Sequence, residues 1–368
     1  NLNYTRMGTI STANFTGYMV SVLLAGPVSR RLGERLTITI GLGIIFLSMI
    51  AIWKAAGFWT VLVPYIFTGI GSGMANIPMM GLVAGWFAAR WRGRAAGCML
   101  IGNGLGIVFP GLMVPLLNVN MGASGWRFAW LIMGSIVFVA FILAGIFLRN
   151  SPSEVNRSPL GAGDPAHPAG KTGVPIHKQN GAFPPLNLTR IFQLGGIYFL
   201  FGTSFAIFIT FIVTYLINEW GFSEAKAGLF WSVVGTLSLV SGFWAGFIAD
   251  RFSRRFALVT IYCQFTIAYL LSLTGLPLFC IYLSVVIFGL SLWGIPTIIT
   301  ATVGDLVGPE RAASVFGIIT LFLGGGQIIG PTLAGIAAET TGSFTSVFLL
   351  CALMTGGAAL LSATLIRN

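Results

Sequence analysis

The chain has 368 residues, of which 56% are hydrophobic and only 8% charged, with a mean hydropathy of +0.90 and a formal net charge of +11. Soluble domains carry about 25% charged residues, so this composition excludes a water-soluble fold and predicts an all-α membrane protein. The positive charge does not imply a nucleic-acid partner, because the basic residues cluster beside apolar stretches instead of lining one long face.

A bilayer core about 30 Å thick is crossed by about 20 apolar residues of helix. Eleven such spans are predicted, at 9–29, 36–55, 59–87, 93–118, 127–148, 191–217, 226–249, 256–275, 278–303, 311–337 and 344–366. A barrel would need segments of about ten residues with alternating polarity, whereas 131–148 is apolar throughout. Many of the 49 glycines fall inside spans, as in Gly102 to Gly106 and Gly324 to Gly326, where small residues let membrane helices approach closely. Cys98, Cys263, Cys280 and Cys351 also fall in spans without metal-ligand spacing and are expected as buried reduced thiols. No metal or cofactor is expected.

Of the 20 Lys and Arg, all but Arg6, Lys54, Arg127 and Lys226 lie on one side of the predicted topology. The positive-inside rule makes that side cytoplasmic, with the start of the chain outside and the C-terminus inside a cell or inner membrane. Residues 149–190 are polar and rich in Pro and Gly, which predicts a flexible cytoplasmic linker. It separates a bundle over 1–148 from one over 191–368. His167 and His177 lie within it and read as solvated.

The two bundles align on one another. Gly26 to Gly33 corresponds to Gly246 to Ser253 at an offset of 220, Ile77-Pro78 to Ile295-Pro296 at 218, Arg94 to Arg311 at 217, and Pro110 to Pro331 at 221. Internal repeats of this kind build many transporters, with the substrate between them. The span 191–217 has no first-half counterpart, so a further helix ahead of Asn1 is expected, making twelve.

Gly246-Phe-Ile-Ala-Asp250-Arg251-Phe-Ser-Arg254-Arg255 resembles the loop motif of the major facilitator superfamily, with Ser253 in place of the second glycine. Gly102 to Gly111 and Gly326-Gln327 to Pro331 resemble that family's glycine- and proline-bearing packing motif. Finer texture, in Tyr4 to Tyr18, in Trp86-Phe87 with Arg90-Trp91-Arg92-Gly93, and in Gly304-Asp305 to Arg311, is similar to the bacterial YbfB/YjiJ-type branch and in part to monocarboxylate and oxalate/formate carriers. The resemblance implies a two-bundle fold and secondary active transport of a small solute by alternating access. An organic anion leads the substrate classes, with a proton or another ion for coupling, in a monomer. A drug or metabolite exporter and a non-transporting nutrient sensor are the alternatives. An enzyme would need a His, Cys, Asp or Glu constellation that the spans do not carry.

The loop motif implies a cytoplasmic gate. Asp250, with Arg251 and Arg254 beside it, is placed to face the positive N-terminus of the span that begins near Arg94. In the first-half copy Arg30, followed by Arg31, stands where the aspartate belongs, which predicts a reversed latch from Arg30 to Asp305 or Glu310. All nine acids fall in loops or at helix ends, and charges at mid-membrane usually mark ion relays, so the visible spans carry no proton relay. For the substrate cavity the candidates are Asn76 and Trp293, each near a helix proline, Gln327, and then Tyr198, Thr203, Asn103, Asn14 and Tyr18. Ser204, Thr210 and Trp231 add polar or aromatic groups. Amide and aromatic groups suit a small polar solute, and the same groups also serve as packing glue between helices.

Overall fold

The computed structural model describes residues 3–161 and 188–364; within them the side chains of Arg90, Arg92, Arg94 and Glu310 lie outside the described residues, as do His167 and His177. The chain forms α1 (Tyr4–Leu32), α2 (Glu34–Trp53), α3 (Phe58–Trp86), α4 (Ala89–Met121), α5 (Gly125–Phe147), α6 (Leu188–Asn218), α7 (Glu224–Arg251), α8 (Arg254–Leu271), α9 (Leu278–Ser291), α10 (Gly294–Val307), α11 (Pro309–Thr341) and α12 (Thr345–Ala363). Among the described residues, eight stretches are long and apolar enough to cross a membrane; Gly97–Phe147 takes in both α4 and α5, and Leu278–Val307 both α9 and α10. Outside these eight stand α1, diluted by Ser, Thr and Asn, and α8, which opens on two arginines.

Consecutive helices run up and down, so Arg30, Arg149, Arg251 and Arg254 share one end, here the basic end, while Asn3, Lys54, Asn118 and Glu224 share the far end. In the first bundle α3 packs on α1 and α2, and α5 on α2 and α4. In the second, α6 packs on α11 and α12, α8 on α9 and α12, and α7 on α9. The bundles meet along two seams, α1 on α11 and α4 on α7. The repeat exchanges these seams, since it maps α1 onto α7 and α4 onto α11.

The bundles are held differently. Backbones touch in both: in the first a Cβ on Gly17 would fall 2.0 Å from the Ile66 carbonyl oxygen and one on Gly69 2.1 Å from that of Asn14, and in the second one on Gly202 would fall 2.3 Å from that of Leu323. In the second, rings also interlock, with Phe208 centred 4.4 Å from Phe288 and 5.2 Å from both Tyr269 and Phe348.

Three expectations change. The span predicted over 278–303 is broken at Leu292 and Trp293. Pro296 has no N–H for a carbonyl at position 292 and its ring crowds that carbonyl; the Trp293 N–H turns instead to Ser241 Oγ at 3.1 Å. The first residues of the expected linker are packed, not free: a 3₁₀ turn spans Pro152–Val155, and the backbone of Leu160 bonds Trp86 and Ala88 at the α3–α4 corner. Cys98 and Cys263 are exposed, while Cys280 and Cys351 are buried. Ser253, the departure from the loop motif, caps α8 by accepting from Phe256 N at 3.1 Å in extended backbone with φ −172°, whereas the first-half corner turns on Gly33 at φ 83°. A serine cap replaces a left-handed glycine.

Candidate functional site

The seams are tight toward the far end. Along α1 and α11, a Cβ on Gly335 would fall 2.4 Å from the Tyr4 carbonyl oxygen and one on Gly8 2.1 Å from that of Pro331. Thr12 Oγ1 donates to the Ile328 carbonyl at 2.6 Å, and Ser11 and Thr210 share a hydrogen bond of 2.9 Å between α1 and α6. Along α4 and α7, a Cβ on Gly228 would lie 2.2 Å from the Gly111 carbonyl oxygen, and Ser232 Oγ donates to Val108 O at 3.0 Å. Toward the basic end contact thins: a Cβ on Gly97 would meet only Phe243, at 3.9 Å, and Gly26, Gly246 and Gly317 have nothing within 4 Å. Among the described residues the two bundles are therefore closed at the far end and parted at the basic end.

Tyr18 of α1 is half-buried and Tyr198 of α6 is buried, and neither hydroxyl has a protein hydrogen-bond partner among the described residues. Tyr198 stacks on Phe201 with ring centres 6.0 Å apart. Gln327 sits on α11 one residue from Gly326, whose backbone abuts Thr203, and its amide has no protein partner among the described residues. Tyr18 and Gln327 are thus half-buried polar groups without a protein partner among the described residues, while Tyr198 belongs to the second bundle's buried core.

Other candidates fall elsewhere. Asn76 and Asn103 face one cavity of about 480 Å³ between α2, α3 and α4, with Ser72 and Cys98 beside them. Trp293 lines a second cavity, of about 310 Å³, with Asp250, Thr297 and Gly97. The Trp293 Nε1 is buried without a partner. Asn14, Thr203 and Ser204 serve packing: Asn14 Nδ2 donates to Tyr65 O at 3.0 Å, and the two hydroxyls donate to carbonyls of their own helix at 2.9 and 3.2 Å. Trp231 packs against the second bundle's core.

At the basic end, Arg254 joins Asp250 at 2.7 Å to Asp305 at 3.0 Å. The hydrogen bond to Asp305, then that to Asp250, raises the Arg254 guanidinium above its ordinary value and keeps it charged. Asp305 is thus held within its own bundle and not by Arg30, which has no ion pair among the described residues. The parted basic end explains this, since a latch across the bundles needs their ends in contact. Arg251 lies beside the Phe252 ring, 5.9 Å from its centre, and Arg31 is exposed. The sequence reading missed the far-end contacts of Asn3, Asn118, Glu224 and Glu339, taken up below.

The family model described as Major Facilitator Superfamily matches residues 1–321 and 194–368. The chain belongs to that superfamily. It is 26% identical over 370 residues to the hexuronate transporter of Bacillus subtilis (strain 168), spanning 95% of this chain and 83% of the relative. It is 23% identical to human monocarboxylate transporter 1 over 93% of this chain and 75% of that protein. Its fold matches the crystal structure of the nucleoside transporter NupG with a TM-score of 0.74 at 14% identity, covering 100% of this chain and 92% of that one. This member of the superfamily is a multi-pass membrane protein and a secondary transporter of small solutes; it is not an enzyme.

Proposed function

We propose that this major facilitator protein carries a small carboxylate across the cell membrane by alternating access, and that the form described here opens to the cytoplasm. The observation that carries the reading is the parting of the bundles at the basic end while the far-end seams stay closed. The positive-inside rule puts the basic end in the cytoplasm. The hexuronate and monocarboxylate relatives share a carboxylate in their named substrates, and Tyr18, Tyr198 and Gln327 offer hydroxyl and amide donors to such a group. A proton or another ion is the expected coupling partner, and the Asp250–Arg254–Asp305 group, with Arg30, Arg31 and Arg251 around it, would close the basic end in the opposite state.

Counterflow in proteoliposomes tests this. Labelled hexuronate or a short monocarboxylate should exchange saturably and a neutral hexose should not, with net uptake rising under an imposed pH gradient. Exchange of the hexose alone, or of none of the three, contradicts the substrate class.

A further inference from the structure

Each seam ends, at the far end, in a bond between an amide and a carboxylate. Asn3 Nδ2 donates to Glu339 Oε1 at 2.8 Å where α1 meets α11, and Asn118 Nδ2 donates to Glu224 Oε2 at 2.7 Å where α4 meets α7. The repeat relates the two contacts: Asn3 to Glu224 and Asn118 to Glu339 share the offset of 221 that also links Pro110 to Pro331. The first bundle therefore presents two amides at this rim and the second bundle two carboxylates. Neither bundle can pair these groups within itself, so both bonds form only when the bundles meet.

We propose that Glu224 and Glu339 are positioning residues of the transport cycle, forming a two-point latch with Asn118 and Asn3 that holds the far end shut while the basic end is open. The latch rests on the alternating-access reading. The two points differ in strength. Glu339 also accepts from Thr5, through its backbone N–H at 3.2 Å and its hydroxyl, at the positive end of α1 and beside Arg6. The amide of Asn3 is used twice, since its Oδ1 accepts from Arg6 N at 3.0 Å to cap α1. Among the described residues Glu224 has Asn118 alone, and Asn118 Oδ1 is buried without a partner. The Glu339 point is the stronger.

The test uses sealed proteoliposomes of the full chain with Cys98 and Cys263 replaced by serine and a reporter cysteine at Met19, which lies deep in the α1–α11 seam against Gly324. An impermeant maleimide added at the far-end side reaches it only when that end opens. For solvent-exposed pairs the expected rise in labelling rate is roughly threefold for Glu339→Ala, less for Glu224→Ala, and about tenfold for both together. Exchanging partners across a seam, Asn118→Glu with Glu224→Asn, should restore the parent rate, which a loss of general stability would not allow. Unchanged labelling in the double variant, or failure of the exchanged pair to restore it, overturns the latch. If a carboxylate substrate alters parent labelling while the variants match the parent, the latch fails and the transport reading stands; if no substrate alters parent labelling, the transport reading fails with it.

Discussion

The two bundles are copies of one plan with opposite interiors. In the second, 61% of an apolar 18-residue window of α6 is buried; in the first, such a window within Gly97–Phe147 is only 11% buried. The buried core cluster lies wholly between Ile191 and Ala359, and its largest members are Phe and Tyr. The first bundle relies on bringing backbones together at Gly17, Gly41, Gly69 and Gly71, a device the second also uses between α6 and α11 at Gly202 and Gly326. Lipid tails are as apolar as leucine, so association in a membrane depends on close packing. The pair shows two ways to obtain it: removing side chains so that helices touch, or fitting large rings so that no void remains. The first tolerates no added atom and the second no missing one.

That contrast can be broken by substitution. The largest effect is expected at Gly17→Val or Gly69→Val, where the new Cβ would fall on a neighbouring backbone carbonyl and helices, which cannot yield like side chains, must move apart. Overpacking costs roughly 1–3 kcal/mol even where side chains can yield, so no monodisperse peak should survive size exclusion. Gly145→Ala is the internal control: its Cβ would meet only a Thr39 methyl, at 3.7 Å, and the peak should be kept. Phe208→Ala comes next, with an expected loss of about 3–5 kcal/mol seen as a lower Tm, while Phe208→Leu should recover most of it. A Gly17 variant as stable as the parent would remove the distinction between the bundles.

Smaller effects separate the site from the scaffold. Tyr18→Phe and Tyr198→Phe remove hydroxyls without a hydrogen-bond partner among the described residues, so Tm should hold while KM rises about three- to tenfold, the worth of one hydrogen bond. Thr203→Val should leave KM unchanged, because that hydroxyl serves its own helix. The smallest expected effect is Arg254→Gln: its side chain is 33% exposed and its partners Asp250 and Asp305 73% and 62%, so stability should fall by less than about 1 kcal/mol. A change in the ratio of uptake to efflux rates would mark the group as a gate.

The repeat, the loop motif and the superfamily were legible because hydropathy and glycine spacing are local properties of the chain. The break at Trp293 was not. Ile77-Pro78 and Ile295-Pro296 look alike, yet α3 runs on through Pro78 while the later span parts. The difference lies in a partner: Ser241 Oγ donates to Ser238 O on its own helix, as its repeat mate Ser21 does to Tyr18 O, and in addition accepts the freed Trp293 N–H. The sequence also grouped Asn76 and Asn103 with Tyr198 and Gln327. Polarity marks such residues but not the face they occupy, and the structure sends the asparagines to a separate cavity. The far-end latch looked like ordinary helix-end polarity; its only trace in sequence is the shared offset of Asn3 to Glu224 and Asn118 to Glu339.

The account turns on the two ends of the seams moving in opposite senses. Spin labels at Arg30 and Ser314 report the basic end and labels at Asn120 and Ala225 the far end, all at exposed positions, with Cys98 and Cys263 replaced. Measured by pulsed electron resonance in proteoliposomes, a transported carboxylate should shorten the first distance and lengthen the second in a shared fraction of molecules. If both distances change in the same direction, or neither changes while flux continues, alternating access about these seams is contradicted.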